Sequence, residues 1–194
     1  MDCKKIGNLI SKLRKERGLT QKNVADALNI SNKTVSKWEC GMGCPDLSLW
    51  AELSEILGVD MKKMLEGELF PNRPDSGNIK KVNFYVCPVC NNVLMSTGPA
   101  VISCCGRKLP FLIPKEIPEH QFRVERMDLD FFISFQHEMK KEHYITFVAC
   151  VTSDKVLVNR LYPEQSPEVR IPEMTGDCNI YAYCSEHGLW MQSV

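Results

Sequence analysis

The chain has 194 residues, with 24 Lys or Arg balanced by 24 Asp or Glu, and it carries 10 cysteines. No apolar run is long enough to span a bilayer and Met1-Asp-Cys-Lys-Lys shows no signal-peptide pattern, so a soluble cytoplasmic chain of two or three small domains, with no membrane partner, is expected. Without export, cysteines spaced as CxxC and as an adjacent pair read as metal thiolates in a reducing compartment, not as a disulfide framework.

From Ile6 to about Gly67 the pattern is helical. Apolar residues recur at helical spacing in Ile6, Leu9, Ile10 and Leu13, and again in Val24, Ala25 and Leu28, with Gly18 closing the first helix. Thr20 is placed to cap the second helix and Ser31 the third. The turn Leu28-Asn-Ile30 between them is too short for anything but a helix-turn-helix. Residues 31–39 then read as the recognition helix, with Val35 and Trp38 turned to the core.

The stretch LTQKNVADALNISNKTVSKWECG is similar to the lambda-repressor/Cro (XRE) class, in the Thr-Gln that opens helix two and the Ser-Lys-Trp-Glu that ends helix three. That resemblance implies sequence-specific binding of duplex DNA, usually as a homodimer. By the same resemblance Gln21 and Lys37 contact phosphates, while Asn32, Lys33, Thr34 and Ser36 point into the major groove, where base edges are read. Charge agrees: residues 1–40 hold nine Lys or Arg against four Asp or Glu, and residues 41–70 hold two against six. The bland alternative for residues 1–67 is a small helical bundle used only for dimerisation.

Residues 68–82 concentrate Pro, Gly, Asn and Ser with little periodicity and read as a linker. Residues 83–112 form a small knuckle in which Cys87, Cys90, Cys104 and Cys105 supply four thiolates, a tetrahedral set for iron or zinc. The sequence FYVCPVC followed by CCG resembles desulforedoxin. Too small a core remains in such a module for it to stand without a metal.

Residues 113–194 alternate Pro-bounded apolar runs: Gln121 to Val124, Leu129 to Phe135, Tyr144 to Val151, Lys155 to Leu161, Glu168 to Ile171 and Asn179 to Cys184. Ser153-Asp154 is a hairpin signal, and short strands at this spacing predict a β-sandwich. Phe131, Ile133, Phe135, Phe147 and Val158 are expected in its core, with Cys150 and Cys178 as inert buried thiols. Cys3, Cys40 and Cys44 have no assigned role.

All four histidines of the chain fall in this segment or at its edge. His137 and His143 end a short charged loop between strands, Cys184 and His187 close a strand within one turn, and His120 lies upstream. Nitrogen donors with one thiolate suit a redox-active first-row metal better than magnesium or calcium, and five donors exceed zinc's usual four. His120, HEMKKEHYI and CSEHGLW resemble the iron ligands of superoxide reductase, the catalytic domain of the desulfoferrodoxins. What this implies is an immunoglobulin-like sandwich holding Fe(2+)/Fe(3+) by four histidines and an axial cysteine, with the sixth position left for superoxide. It further implies re-reduction by an external electron donor such as rubredoxin.

One departure matters. The family carries Glu-Lys directly before its first histidine ligand, whereas Pro118-Glu119 precede His120 here. Glu119 stands where the substrate-attracting lysine is expected, and Lys140 and Lys141, in the loop between His137 and His143, are the candidates to replace that cation. The expectation is thus a multidomain α + β chain, an N-terminal helix-turn-helix bundle, a metal knuckle and an immunoglobulin-like sandwich. It would bind DNA and reduce superoxide to hydrogen peroxide. The alternative is a redox- or iron-sensing transcriptional regulator whose iron domain is sensory and not catalytic.

Overall fold

A computed structural model describes residues 2–75, 77–116 and 120–194. Two compact units divide the chain, Met1–Pro71 and Asn72–Val194.

The first unit is all helical: α1 (Cys3–Glu16), α2 (Gln21–Ala27), α3 (Asn32–Glu39), α4 (Trp50–Leu57) and α5 (Met61–Glu66). The starts of α1, α2, α3 and α5 are capped by a short polar side chain, whereas α4 follows Leu49 without a side-chain cap. Asp2 accepts from the backbone of Lys4 and Lys5, Thr20 forms a reciprocal capping box with Asn23, and Ser31 accepts from Thr34. Gly58 and Gly67 end α4 and α5 in the left-handed region, at φ 60° and 74°, which a side chain would resist.

At seven and eight residues, α2 and α3 are too short to persist alone, so packing holds them. Val24, Ala25, Leu28, Val35 and Trp38 join Ile6, Leu9, Ile10, Leu13, Trp50, Leu53, Leu57 and Met64 in one buried cluster. Helix α1 meets α3 backbone to backbone at Gly7, where an added Cβ would collide with the Trp38 carbonyl oxygen. A buried ion pair fixes the same two helices. Arg14 Nε and Nη2 bond Glu39 Oε1 and Oε2 at 2.6 and 2.9 Å, and Gln21 Nε2 at the start of α2 donates to Glu39 Oε2 at 2.9 Å.

The second unit is built from antiparallel strands. Two short hairpins come first, β1 (Asn83–Val86) with β2 (Val93–Ser96), and β3 (Ile102–Cys104) with β4 (Arg107–Leu109). A sandwich follows, of a three-stranded sheet ordered β5 (Phe122–Met127), β6 (Asp130–Phe135), β9 (Glu168–Pro172), and a four-stranded sheet ordered β11 (Gly188–Ser193), β10 (Asn179–Cys184), β7 (Ile145–Val151), β8 (Val156–Arg160).

Every residue of β7 is buried, which explains its unbroken apolar run. Val148 and Cys150 face the inter-sheet core with Ile133, Phe135, Val169, Ile171 and Ile180, whereas Phe147, Ala149 and Val151 pack on the opposite face against Val82, Phe84 and Val86. The first hairpin thus lies over the outer face of the sandwich.

Three expectations change. Val158 is 39% exposed, because β8 is an edge strand. Cys150 and Cys178 are not free thiols but a disulfide: β10 pairs Asn179 with Val151 and Ile180 with Cys150, so Cys178, two residues before the Cys150 partner, lies diagonally across from Cys150 in the same core cluster. Cys3 and Cys44, left without a role by the sequence, form a second disulfide.

Candidate metal centres and DNA-facing helix

Strand register brings five candidate ligands to one end of the sandwich. Phe122, just after His120, pairs with Phe135, just before His137. Cys184 pairs with both Ile145, just after the His143 loop, and Gly188, just after His187. Ser185 clamps the loops together, its hydroxyl donating to the Glu142 carbonyl and accepting from the Tyr144 amide at 2.9 and 3.1 Å.

One ligand atom from each of His120, His137, His143, Cys184 and His187 lies within 4.8 Å of all the others. His187 Nδ1 sits 2.8 Å from His120 Nε2, 3.2 Å from His143 Nε2 and 3.5 Å from Cys184 Sγ. An ion with metal–nitrogen bonds of about 2.1 Å sets neighbouring ligand nitrogens roughly 3 Å apart, so this spacing fits a shared first-row ion. Burial adds to the fit. It lowers the His137 pKa, keeping a lone pair available, and His137 Nε2 is buried without a hydrogen-bond partner. Burial also pushes the Cys184 thiol up, so ionising it calls for a cation.

Aromatic rings wall the cluster. The His120 ring packs edge-on against Trp190 at 5.3 Å, and Trp190 against Phe135 at 6.3 Å. On the open side His143 Nδ1 lies 3.8 Å from Glu138 Oε2 and 3.7 Å from Glu186 Oε2, carboxylates suited to orient and enrich an imidazole ligand.

The second cluster forms where two turns meet. In the CxxC turn, Cys87 N–H donates to the Asn92 carbonyl and Asn91 N–H to the Cys87 carbonyl, both at 2.9 Å. The β3–β4 hairpin turns on Cys105 and Gly106, at φ 49° and 73°, the doubly left-handed geometry of a tight two-residue turn. Holding a cysteine there is strained, and the turn lets both adjacent sulfurs join Cys87 and Cys90 within 4.8 Å. Cys90 and Cys104 sulfurs are 3.6 Å apart, close to the roughly 3.8 Å edge of a tetrahedron with metal–sulfur bonds of about 2.3 Å. Backbone N–H groups of Cys90 and Val89 draw the Cys87 thiol down to about 6, while the Cys90 and Cys87 sulfurs push Cys105 up to about 12. Four thiols so close cannot all ionise unless a cation sits among them.

A family model described as Desulfoferrodoxin matches residues 114–193, and one described as Helix-turn-helix matches residues 10–63. The chain joins a helix-turn-helix domain to a desulfoferrodoxin domain. A desulfoferrodoxin from Syntrophotalea carbinolica is 26% identical over 120 residues, covering 57% of this chain and 95% of that one. The HTH-type transcriptional activator BcrR of Enterococcus faecalis is 30% identical over 80 residues, covering 40% of this chain and 39% of that one. Among solved structures, the superoxide reductase from Treponema pallidum superposes with a TM-score of 0.52 at 20% identity, covering 57% of this chain and 96% of that one, a likeness of fold.

The structure does not gather the desulfoferrodoxin domain's lysine candidates among the five ligand atoms. Lys140 Nζ pairs with Glu138 Oε2 at 2.8 Å, and this pairing lowers the Glu138 pKa, while Lys141 is exposed. Glu119 lies outside the described residues. In the helix-turn-helix domain Asn32, Lys33 and Lys37 are exposed along α3, while Thr34 and Ser36 are half-buried. Gln21 is half-buried, with its amide nitrogen engaged by Glu39. Sequence reasoning missed Trp190, Glu138 and Glu186. Trp190 sits in the HGLW segment already singled out, but no spacing rule reveals which carboxylates a folded loop brings to His143.

Proposed function

We propose that this is a cytoplasmic, homodimeric DNA-binding protein whose desulfoferrodoxin domain reduces superoxide to hydrogen peroxide. The observation that carries it is the convergence of four imidazoles and one thiol within 4.8 Å at one end of the sandwich, in a segment matched by the desulfoferrodoxin family. His120, His137, His143 and His187 would hold the iron as neutral imidazoles, and Cys184 as a thiolate. The chemistry that bound iron supplies there is one-electron reduction of superoxide, which with two protons from solvent gives hydrogen peroxide, an external donor such as rubredoxin returning the electron. Lys140 and Lys141, on the exposed loop beside His143, draw the anionic substrate toward the cluster in place of the lysine that Glu119 displaces. Trp190 and Phe135 keep water off the buried side.

Cys87, Cys90, Cys104 and Cys105 would hold iron or zinc, at least as a staple for two hairpins that have little core of their own. Asn91, within the CxxC turn, donates to Tyr144 Oη at 3.3 Å, tying that staple to the residue after His143. On α3, Asn32, Lys33, Thr34 and Ser36 would read bases, with Lys37 of α3 and Gln21 of α2 on phosphates. Domain limits of 1–67, 83–112 and 113–194, with 68–82 between them, describe these roles.

A second reading, a regulator that senses superoxide or iron, is favoured by the attachment of a helix-turn-helix domain. Rapid mixing of the reduced, metal-loaded protein with superoxide decides between them. Consumption above that of free iron, lost in His143→Ala, supports the enzyme, and its absence together with a large redox-dependent change in DNA affinity supports the sensor.

A further inference from the structure

Three cysteines of the helical unit lie outside both metal clusters: Cys3, Cys40 and Cys44. Cys3 is the first residue of α1, and Cys44 lies in the loop after α3. Their sulfurs are bonded, with the Cα atoms 5.1 Å apart across 41 residues of sequence. Gly41 makes the approach possible. At φ 71° it turns the chain out of α3 and lays it on the first turn of α1, so close that an added Cβ would stand 3.0 Å from the Lys4 Cα. The bond therefore ties the segment leaving the recognition helix to the start of α1, on whose middle α3 already packs at Gly7.

Access separates this pair from the other disulfide. Cys3 and Cys44 are both partly exposed, whereas Cys150 and Cys178 are 0% and 1% exposed. Small oxidants and reductants reach the first pair and not the second. Resting on the DNA-binding reading above, the protein works among cellular thiol reductants, where an accessible disulfide is transient and redox-sensing and not a permanent staple.

We propose that Cys3 and Cys44 are a thiol–disulfide switch of the helix-turn-helix unit, closed by hydrogen peroxide and reopened by a dithiol reductant, and that the closed form holds α3 ready for DNA. One thiolate attacks a peroxide oxygen, the O–O bond breaks, and a sulfenic acid and one water result. The second thiolate attacks that sulfur, the S–S bond forms, and the second water leaves. The two sulfurs lose two electrons in all, which reduce one peroxide to two waters. In the return step a dithiol is oxidised to its own disulfide and both thiols are restored. Hydrogen peroxide is the product of the reaction proposed above, but the switch needs only peroxide from any source.

The test uses the full chain with both metal sites loaded. The protein is reduced with a dithiol, freed of reductant, and treated with hydrogen peroxide; free thiols are then alkylated and the peptides weighed. In parallel, affinity is measured for a duplex selected from a random pool by the oxidised protein. The expected result is a Cys3–Cys44 linked peptide and at least about threefold tighter duplex binding than in the reduced form, by the factor-to-energy scale on which tenfold is 1.4 kcal/mol. Cys44→Ser abolishes both, while Cys40→Ser keeps both. Cys3 and Cys44 remaining alkylatable after excess peroxide, a link through Cys40 instead, or a linked form whose affinity is within threefold of the reduced form overturns the proposal. If neither form holds any duplex, the DNA-binding reading fails and the DNA half of the switch with it. The peptide map alone still decides whether peroxide closes this pair.

Discussion

Replacing Glu39 with glutamine tests how the recognition helix is held. Glu39 ends α3, and its carboxylate takes two bonds from Arg14 on α1 and one from Gln21 on α2, with the two charged side chains only 11% and 7% exposed. Glutamine keeps the shape but leaves the Arg14 guanidinium without its counter-charge, and breaking a buried pair on one side costs about 3–5 kcal/mol. At the lower figure, a helical unit of this size should melt about 12–24 °C lower, at roughly 4–8 °C per kcal/mol. All described α-helices lie between Cys3 and Glu66, so the helical signal in far-ultraviolet circular dichroism of the full chain follows this unit. The pH dependence has a definite sign. Burial opposes the Glu39 charge, but the Arg14 and Gln21 bonds outweigh it and hold the carboxyl below its ordinary value of 4.5. The pair's stabilisation is therefore complete above that ordinary value and fades as pH falls through the lower folded one. Wild type and Glu39→Gln should differ most near neutrality and converge in acid. A Glu39→Gln protein melting within about 2 °C of wild type at neutral pH, or a gap that widens in acid, refutes the reasoning.

Further outcomes follow from the same geometry. His143→Ala and Cys184→Ser should each lose the iron of the sandwich and its oxidised-state absorption while keeping the metal of the four-cysteine site, as elemental analysis will register. DNA binding should fall steeply with salt; Lys37→Ala should weaken all duplexes about equally, whereas Asn32→Ala or Lys33→Ala should alter the preferred sequence in a random-pool selection. Reduced protein should consume superoxide in rapid mixing more slowly than a lysine-bearing relative. In a Cys44→Ser background its duplex affinity should change less than tenfold, about 1.4 kcal/mol, between ferrous and ferric forms.

What the sequence discloses divides along a physical line. Features set by neighbouring residues are legible: the stripe Ile6, Leu9, Ile10, Leu13, the caps Thr20 and Ser31, and the Ser153-Asp154 turn between β7 and β8. Features set by what packs across space are not. The run Tyr144 to Val151 reads as a strand, but nothing in it tells that β1 covers its second face. Strand β11 escapes because Gly188, Leu189 and Trp190 read first as the tail of a ligand motif, though Leu189 and Trp190 are both buried, on opposite faces of the sheet. The ligand candidates stand out by residue type and spacing, while the carboxylates of Glu138 and Glu186 near His143 depend on how two loops close. Cysteine spacing is equally silent on Cys3 and Cys44, which a backbone approach at Gly41 brings together.

That approach bears on where a chain of this kind can sense oxidants. A redox event alters DNA affinity only through a difference in free energy between two states of the DNA-binding unit. Iron in the sandwich belongs to the other compact unit, and residues 69–75 of the chain that joins the two are all exposed. The Cys3–Cys44 pair lies inside the unit that carries α3, and its closure acts on the segment leaving that helix without any intermediary. Under the two proposals above, chemistry at the iron and response at the DNA can thus be divided between two sites of one chain, with diffusible peroxide as the link.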